Sequence, residues 1–354
     1  MIKSEYKIIG VMSGTSLDGI DLVYASYKFF NSWDFEIIHS ETLPYDNFWV
    51  EILKDLISLS EPELKQIDIE YTSYLAYKIK DFIIKNNISD IDAICSHGHT
   101  ALHRPDKMLT YQIGNLPILA SLLHHRVVCD FRVQDVKLGG QGAPLVPVGD
   151  DLLFSKFDYC LNLGGFANIS TTFNKERIAY DICPVNIVLN AYVKQMGLDF
   201  DDKGNMASKG KINNELLKQL NELDFYKETH PKSLGLEWVK DFIFPLMDSF
   251  QLEVKDILRT FIEHIAIQIS NELNNNKESS VLVTGGGVYN DFLFDSIKTY
   301  TNNAIIKPTK DIIEFKEALI FGFLGVLKLR GENNCLKSVT GAKYDHSSGV
   351  IFHA

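Results

Sequence analysis

The chain has no cluster of basic residues, and its 46 Asp and Glu outnumber its 35 Lys and Arg for a formal net charge of −11. A nucleic-acid backbone has to be neutralised by clustered Lys and Arg, so the charge balance excludes that partner. No stretch approaches the length needed to span a bilayer, and the apolar run after Tyr6 stops at Gly10, too soon for a secretory signal. A cytoplasmic protein with no membrane partner is therefore expected. The five cysteines, Cys95, Cys129, Cys160, Cys183 and Cys335, form no CxxC pair and show no His spacing that would make a metal site. They read as free thiols of a reducing compartment, packed as small hydrophobes. There is no GxxxxGK[ST] phosphate loop and no internal repeat, which excludes P-loop proteins and solenoids.

What is present is enough for two cores. The 354 residues are 45% hydrophobic and 23% charged, the balance of a globular chain too long for one ordinary core. Two lobes with a cleft between them are expected. The first lobe opens strand, Gly-rich turn, strand: 6–12, the loop 13–19, then 20–27. From 61 to 85, Leu64, Ile67, Tyr71, Leu75, Ile79 and Phe82 recur at helical spacing. Short buried strands are expected at 93–95 and 126–129. Gly139, Gly140, Gly142, Pro144 and Pro147 then interrupt regular structure.

The first lobe is accordingly assigned to 1–130 with 332–354, and the second to 131–331. The second opens like the first, with strands at 157–163 and 168–173 around Gly164-Gly165. A helix at 257–273, a strand at 281–284 ending in Gly285-Gly286-Gly287, and a helix beginning near Phe315 complete it.

Between the first two strands, Gly14, Thr15, Ser16, Leu17, Asp18 and Gly19 can aim backbone N–H groups and hydroxyls at phosphate oxygens, as a plain Ser- and Gly-rich turn also can. A carboxylate about 4 Å from a phosphate charge is repelled by roughly 4 kcal/mol at an effective dielectric near 20, so Asp18 belongs there only beside a cation. Mg²⁺ is the natural bridge, with Asp18 as its ligand; the alternative is a turn-forming Asp before Gly19.

The sequence resembles the anhydro-N-acetylmuramic acid kinases, of the actin, hexokinase and heat-shock ATPase fold group. The matching segments run in order from Gly10-Val-Met-Ser-Gly-Thr-Ser-Leu-Asp-Gly-Ile-Asp21, through Ser96-His-Gly-His-Thr100 and Asp130-Phe-Arg132, to Asn162-Leu-Gly-Gly165. Pro231-Lys-Ser233, Thr284-Gly-Gly-Gly287 with Asn290, Glu317-Ala318 and Val339-Thr-Gly-Ala342 follow. The resemblance implies a two-lobed, actin-like α/β fold of ribonuclease H-like type, with duplicated mixed sheets flanked by helices around a central cleft. It further implies an ATP- and Mg²⁺-dependent kinase that opens the anhydro ring of its amino sugar with water while phosphorylating O6, with a homodimer as a possible assembly.

By the same resemblance Asp181 is the base, in Asp181-Ile-Cys-Pro-Val-Asn186, although an Asp there can also cap a helix starting near Pro184. ATP is expected to meet Gly14 to Gly19, Ile20, Asp21, Gly164, Gly165, Asn168, Gly285, Gly286, Gly287 and Asn290. The sugar is expected to meet His97, Arg132, Asp135 and Glu317, with Arg132 suited to a bidentate carboxylate contact. Each of these has a structural alternative. Glu317 is placed at the start of its helix, where it either assists Asp181 or complements the dipole. Lys232 reads as a solvated surface residue with a lesser part in neutralising phosphate.

Several positions depart from the family pattern. Ile182, Cys183 and Val185 replace its Thr, Gly and small residue, Asn190 stands where Asp is common, and His99 replaces a Gln. Added bulk beside phosphate or sugar, and a loss of positive φ, are the expected effects. They leave two alternatives open, a kinase of a different sugar or a non-catalytic nucleotide- or sugar-binding relative.

Overall fold

The computed structural model describes residues 2–14, 17–275 and 278–354. It divides into two compact units, one reaching to Leu153 and resumed by Phe315–Ala354, the other Phe154–Glu314. The composition had drawn the divisions at 130/131 and 331/332; the contacts place them at 153/154 and 314/315, the second inside a helix.

The first unit holds strands β1 (Glu5–Ser13), β2 (Gly19–Phe29), β3 (Trp33–Pro44), β4 (Ala93–Arg104), β5 (Leu109–Ile113), β6 (Val127–Cys129) and, near the C-terminus, β12 (Val350–Phe352). The second holds β7 (Tyr159–Leu163), β8 (Phe166–Phe173), β9 (Glu176–Pro184), β10 (Ser280–Thr284) and β11 (Ala304–Ile306). The first sheet runs β12-β6-β4-β1-β2-β3 with β5 on β4, the second β11-β10-β7-β8-β9. In each, the first strand pairs antiparallel with the second and parallel with a later one. This shared ribonuclease H-like order is the duplication that the two hairpins foreshadowed.

Local sequence accounts for the pieces. β1 is a run of Ile8, Ile9 and Val11, each fully buried, as a central strand covered on both faces requires. β3 lies at the sheet edge and carries exposed Asp34 and Glu36, charges that discourage pairing with a further strand. Helix Glu61–Lys85 starts in a capping box, the Ser60 N–H donating to Glu63 Oε2 at 2.8 Å, and buries Leu64, Tyr71, Leu75, Ile79 and Phe82.

Helix Lys310–Arg330 lies unusually close to β1. A Cβ added at Gly10 would stand 2.1 Å from the Ala318 carbonyl oxygen, and one at Gly325 2.0 Å from Cys95 Sγ on β4. Gly331 closes the helix at φ 72°, a left-handed cap. The helix begins at Lys310, not near Phe315, which corrects the place given to Glu317. Glu317 stands two turns inside the helix, beyond the first turn over which the dipole acts.

Gly10→Ala is expected to destabilise the protein by about 1–3 kcal/mol, because the helix backbone has to retreat from the sheet. A denaturant midpoint unchanged from wild type would show that the helix and β1 are not packed this closely.

Candidate functional site

In the first unit the loop after β1 starts from a buried hydroxyl cluster. Ser13 Oγ exchanges hydrogen bonds with Tyr45 Oη at 2.6 Å and His99 Nδ1 at 2.9 Å, and accepts one from Tyr71 Oη at 2.8 Å. His99, the residue standing in place of a Gln, thus anchors the end of β1, and desolvation pushes its pKa down to about 4, keeping the ring neutral. Of the loop itself, Thr15 and Ser16 lie outside the described residues. The Leu17 N–H donates to the Gly14 oxygen at 3.4 Å with Leu17 at φ 62°, and Gly19 is pressed onto β3, where a Cβ would meet the Leu43 oxygen at 2.5 Å. Ile20 is fully buried and Asp21 accepts from Thr42 Oγ1 at 2.6 Å, and both lie within β2, paired with β1 on one side and β3 on the other. Asp18 is exposed and has no protein partner among the described residues.

His97, Arg132 and Glu317 come together. Arg132 Nε donates to His97 Nε2 at 2.8 Å and Nη1 to the Gly142 oxygen at 2.6 Å. His97 Nδ1 then carries the proton and donates to the Gly98 oxygen at 2.8 Å. Desolvation, followed by the Arg132 charge, holds the His97 pKa well below its ordinary value, so this tautomer persists. The Phe321 ring packs 4.6 Å from the His97 ring. Glu317 remains reachable by solvent, yet desolvation raises its pKa against the pull of Lys316 and Arg132. Arg132 keeps further N–H groups without an acceptor among the described residues, as a carboxylate clamp needs.

Asp135 does not join them, which corrects its expected sugar contact. It is fully buried, with Oδ2 accepting from the Gly142 N–H and Oδ1 from Thr340 Oγ1, both at 2.7 Å. It braces the 139–142 loop against the C-terminal segment.

In the second unit, register pairing sets a polar row across four strands. Thr284 of β10 stands beside Asn162 of β7, which pairs with Asn168 of β8, which pairs with Asp181 of β9. Asn162 was not singled out from sequence, where an Asn before Gly-Gly looks like turn chemistry. Gly164 and Gly165 close the β7–β8 hairpin, and their carbonyls accept from the N–H groups of Val185, Asn186 and Ile187 at the start of helix Asn186–Lys194. The cap of that helix is Val185, so Asp181 does not cap it.

Asp181 is held by a distant segment. Its N–H donates to the Lys232 oxygen at 3.1 Å, and its Oδ2 accepts from the Leu234 N–H at 2.8 Å. Desolvation raises the carboxyl pKa, partly offset by that Leu234 bond, and the other oxygen has no protein donor among the described residues. The Lys232 side chain is only 4% exposed and turns to Glu272, 3.3 Å away, which also accepts from Tyr180 Oη at 3.0 Å. Lys232 is thus neither a solvated surface residue nor free to meet phosphate. Ile182, Cys183 and Val185 all pack into the core of this unit, and Val185 has φ −130°. Their bulk fills the interior and no positive φ has been given up.

The Gly285–Gly287 turn splits in role. A Cβ at Gly285 would lie 2.5 Å from Asn162 Oδ1, and one at Gly287 2.8 Å from Leu163 Cβ, so both serve close packing. Gly286 has nothing within 4 Å and presents bare backbone outward. Asn290 caps helix Asp291–Tyr300, its Oδ1 accepting from the Leu293 N–H at 3.0 Å.

Two sheets of one strand order, each with a glycine-bearing turn after its first strand, define an actin-like, ribonuclease H-like α/β architecture. Comparison with known proteins makes the class specific. The family described as "Anhydro-N-acetylmuramic acid kinase" matches residues 6–354. Proteins of that name from Haemophilus influenzae and Sulfurimonas denitrificans are each 32% identical, over 99% and 97% of this chain and 98% of theirs. That of Pseudomonas syringae pv. tomato is 33% identical over 99% of this chain and all of its own. The chain belongs to the anhydro-N-acetylmuramic acid kinase family.

Gly286→Ala is expected to leave stability within about 0.5 kcal/mol of wild type, whereas Gly287→Ala lowers it by roughly 1–3 kcal/mol. Calorimetric scans of the two variants check this, and equal thermal shifts would contradict the division of roles.

Proposed function

We propose that the chain uses ATP to phosphorylate O6 of 1,6-anhydro-N-acetylmuramic acid while water opens the anhydro ring, giving N-acetylmuramic acid 6-phosphate and ADP. The observation that carries this reading is the Asp181 carboxylate. One oxygen is fixed by the Leu234 N–H, the other is free of protein donors among the described residues, and desolvation raises its pKa. A carboxylate so placed is a stronger base than one in water, and its free oxygen can accept a proton.

In the proposed reaction Asp181 takes a proton from water as the water oxygen bonds to C1. The C1–O6 bond breaks, O6 bonds to the γ-phosphorus, and ADP leaves with the former bridging oxygen. Arg132, oriented by neutral His97, meets the lactyl carboxylate of the sugar, and Glu317 accepts from a sugar hydroxyl. Within the first unit the backbone around Gly14 to Gly19 is proposed to meet phosphate, and within the second unit Gly164-Gly165 is proposed to do the same, with Asn168 beside Asp181 and Gly286 against the adenosine. Asp18 is exposed and unpartnered among the described residues, so it fits a hard cation and would hold Mg²⁺. That ion, when bound, supplies charge neutralisation to the phosphates. No observation favours a different sugar or a non-catalytic role, because the family departures at 182, 183 and 185 lie in the core.

Asp181→Asn is expected to lower kcat by roughly 10²- to 10⁴-fold with little change in KM for either substrate. The wild-type rate is lost as pH falls, since only the ionised carboxylate accepts a proton. Its raised pKa puts the acid limb of kcat/KM above the ordinary carboxylate value of about 4. An acid limb at or below that value, or a variant with wild-type kcat, would remove Asp181 from this role. Gly286→Ala is expected to raise KM for ATP and leave KM for the sugar unchanged in steady-state kinetics.

A further inference from the structure

Asp135, Cys335 and His346, all in the first unit, are 0%, 1% and 4% exposed, and one oxygen, one sulfur and one nitrogen from them lie within 4.8 Å of one another. Cys335 and His346 are held as a pair by two backbone bonds, each N–H donating to the other's carbonyl at 3.1 Å. His346 Nδ1 stands 3.1 Å from the Tyr344 oxygen. A carbonyl only accepts, so Nδ1 carries the proton and the neutral ring presents a lone pair at Nε2. That Nε2 is buried with no hydrogen-bond partner among the described residues and faces Asp135 Oδ1 at 3.6 Å. Two acceptors facing each other away from water repel unless a cation stands between them.

The candidates for that cation are a proton and a metal ion, and the geometry discriminates. A charge-assisted N–H···O bond is shorter, about 2.7–2.9 Å, than the 3.6 Å observed. Two ligands each about 2.1 Å from a tetrahedral ion stand roughly 3.4 Å apart, close to that separation. We propose that Asp135 Oδ1, Cys335 Sγ and His346 Nε2 bind a divalent metal ion of borderline softness, Zn²⁺ by its donor set.

The arrangement has the further marks of such a site. Nδ1–H donating to a backbone carbonyl is the usual support of a metal-bound imidazole, and Thr340 Oγ1 and the Gly142 N–H brace the carboxylate in the same way. Burial pushes the Cys335 thiol up to about 12 when no metal is bound, and one carboxylate, one thiolate and a dication sum to no net charge. The ion would staple the C-terminal segment to helix Val133–Lys137, next to Arg132. This is independent of the proposed reaction.

Full-length protein purified without chelator and loaded with Zn²⁺ is expected to retain about one equivalent by elemental analysis, and Cys335→Ser and His346→Ala to retain none. The Co²⁺-loaded wild type is expected to show a thiolate-to-cobalt charge-transfer band that Cys335→Ser lacks, and a chelator to lower the melting temperature of wild type alone. The Co²⁺ band is read on the native chain, so it holds even if a variant fails to fold. A folded wild type that retains neither metal, or Co²⁺ bound without the thiolate band, would overturn the assignment, as would an imidazolium signature for His346 in its ¹⁵N spectrum.

Discussion

The close approach of helix Lys310–Arg330 to β1 and β4 is the constraint from which the first unit takes its form. Gly10, Gly322 and Gly325 remove the side chains that would hold helix and sheet apart, and Tyr27 Oη donates to the Leu319 carbonyl at 2.6 Å across the gap. The helix is thereby fixed in rotation as well as distance. Phe321 falls on the His97 ring and Glu317 beside Arg132, so a packing rule between backbones aligns the three residues proposed to meet the sugar. At ordinary helix–sheet separation the ring contact that locks His97, and through it Arg132, would be lost.

The second unit solves a different problem, keeping the carboxylate proposed as the base half-buried. A fully buried Asp would be neutral, and one exposed to water would be an ordinary weak base. Asp181 sits between these limits because a single N–H, that of Leu234, compensates one oxygen while β9 and the 232–234 segment shield the group. Lys232 is kept out of the balance by Glu272, since an ammonium facing Asp181 would lower its pKa and weaken the base.

Much of the fold was legible. Alternation and glycine placement showed both hairpins, and helical spacing showed the 61–85 and 257–273 helices, because these depend on neighbours in the chain. Family membership was legible through the ordered motifs, and the glycine turns through their composition, while the role of Asp181 stands as proposed. Other features join residues far apart. Leu234 meets Asp181 across 53 positions, and Thr340 meets Asp135 across 205, with no local pattern to announce either. The same distance hid the roles of Tyr45 and Tyr71 around Ser13, the burial of Asp135, and the meeting of Cys335 and His346 with it. The start of the Lys310–Arg330 helix was missed because its apolar spacing was read only from Phe315, although Ile312 and buried Ile313 extend it.

Coupling between ring opening and phosphoryl transfer is the centre of the account, and the fate of the water oxygen tests it most directly. Turnover in ¹⁸O-labelled water, quenched early and read by mass spectrometry, should place one label on C1 of the opened sugar and none on the phosphate. Label in free phosphate, or a phosphorylated sugar with its anhydro ring intact, would contradict it.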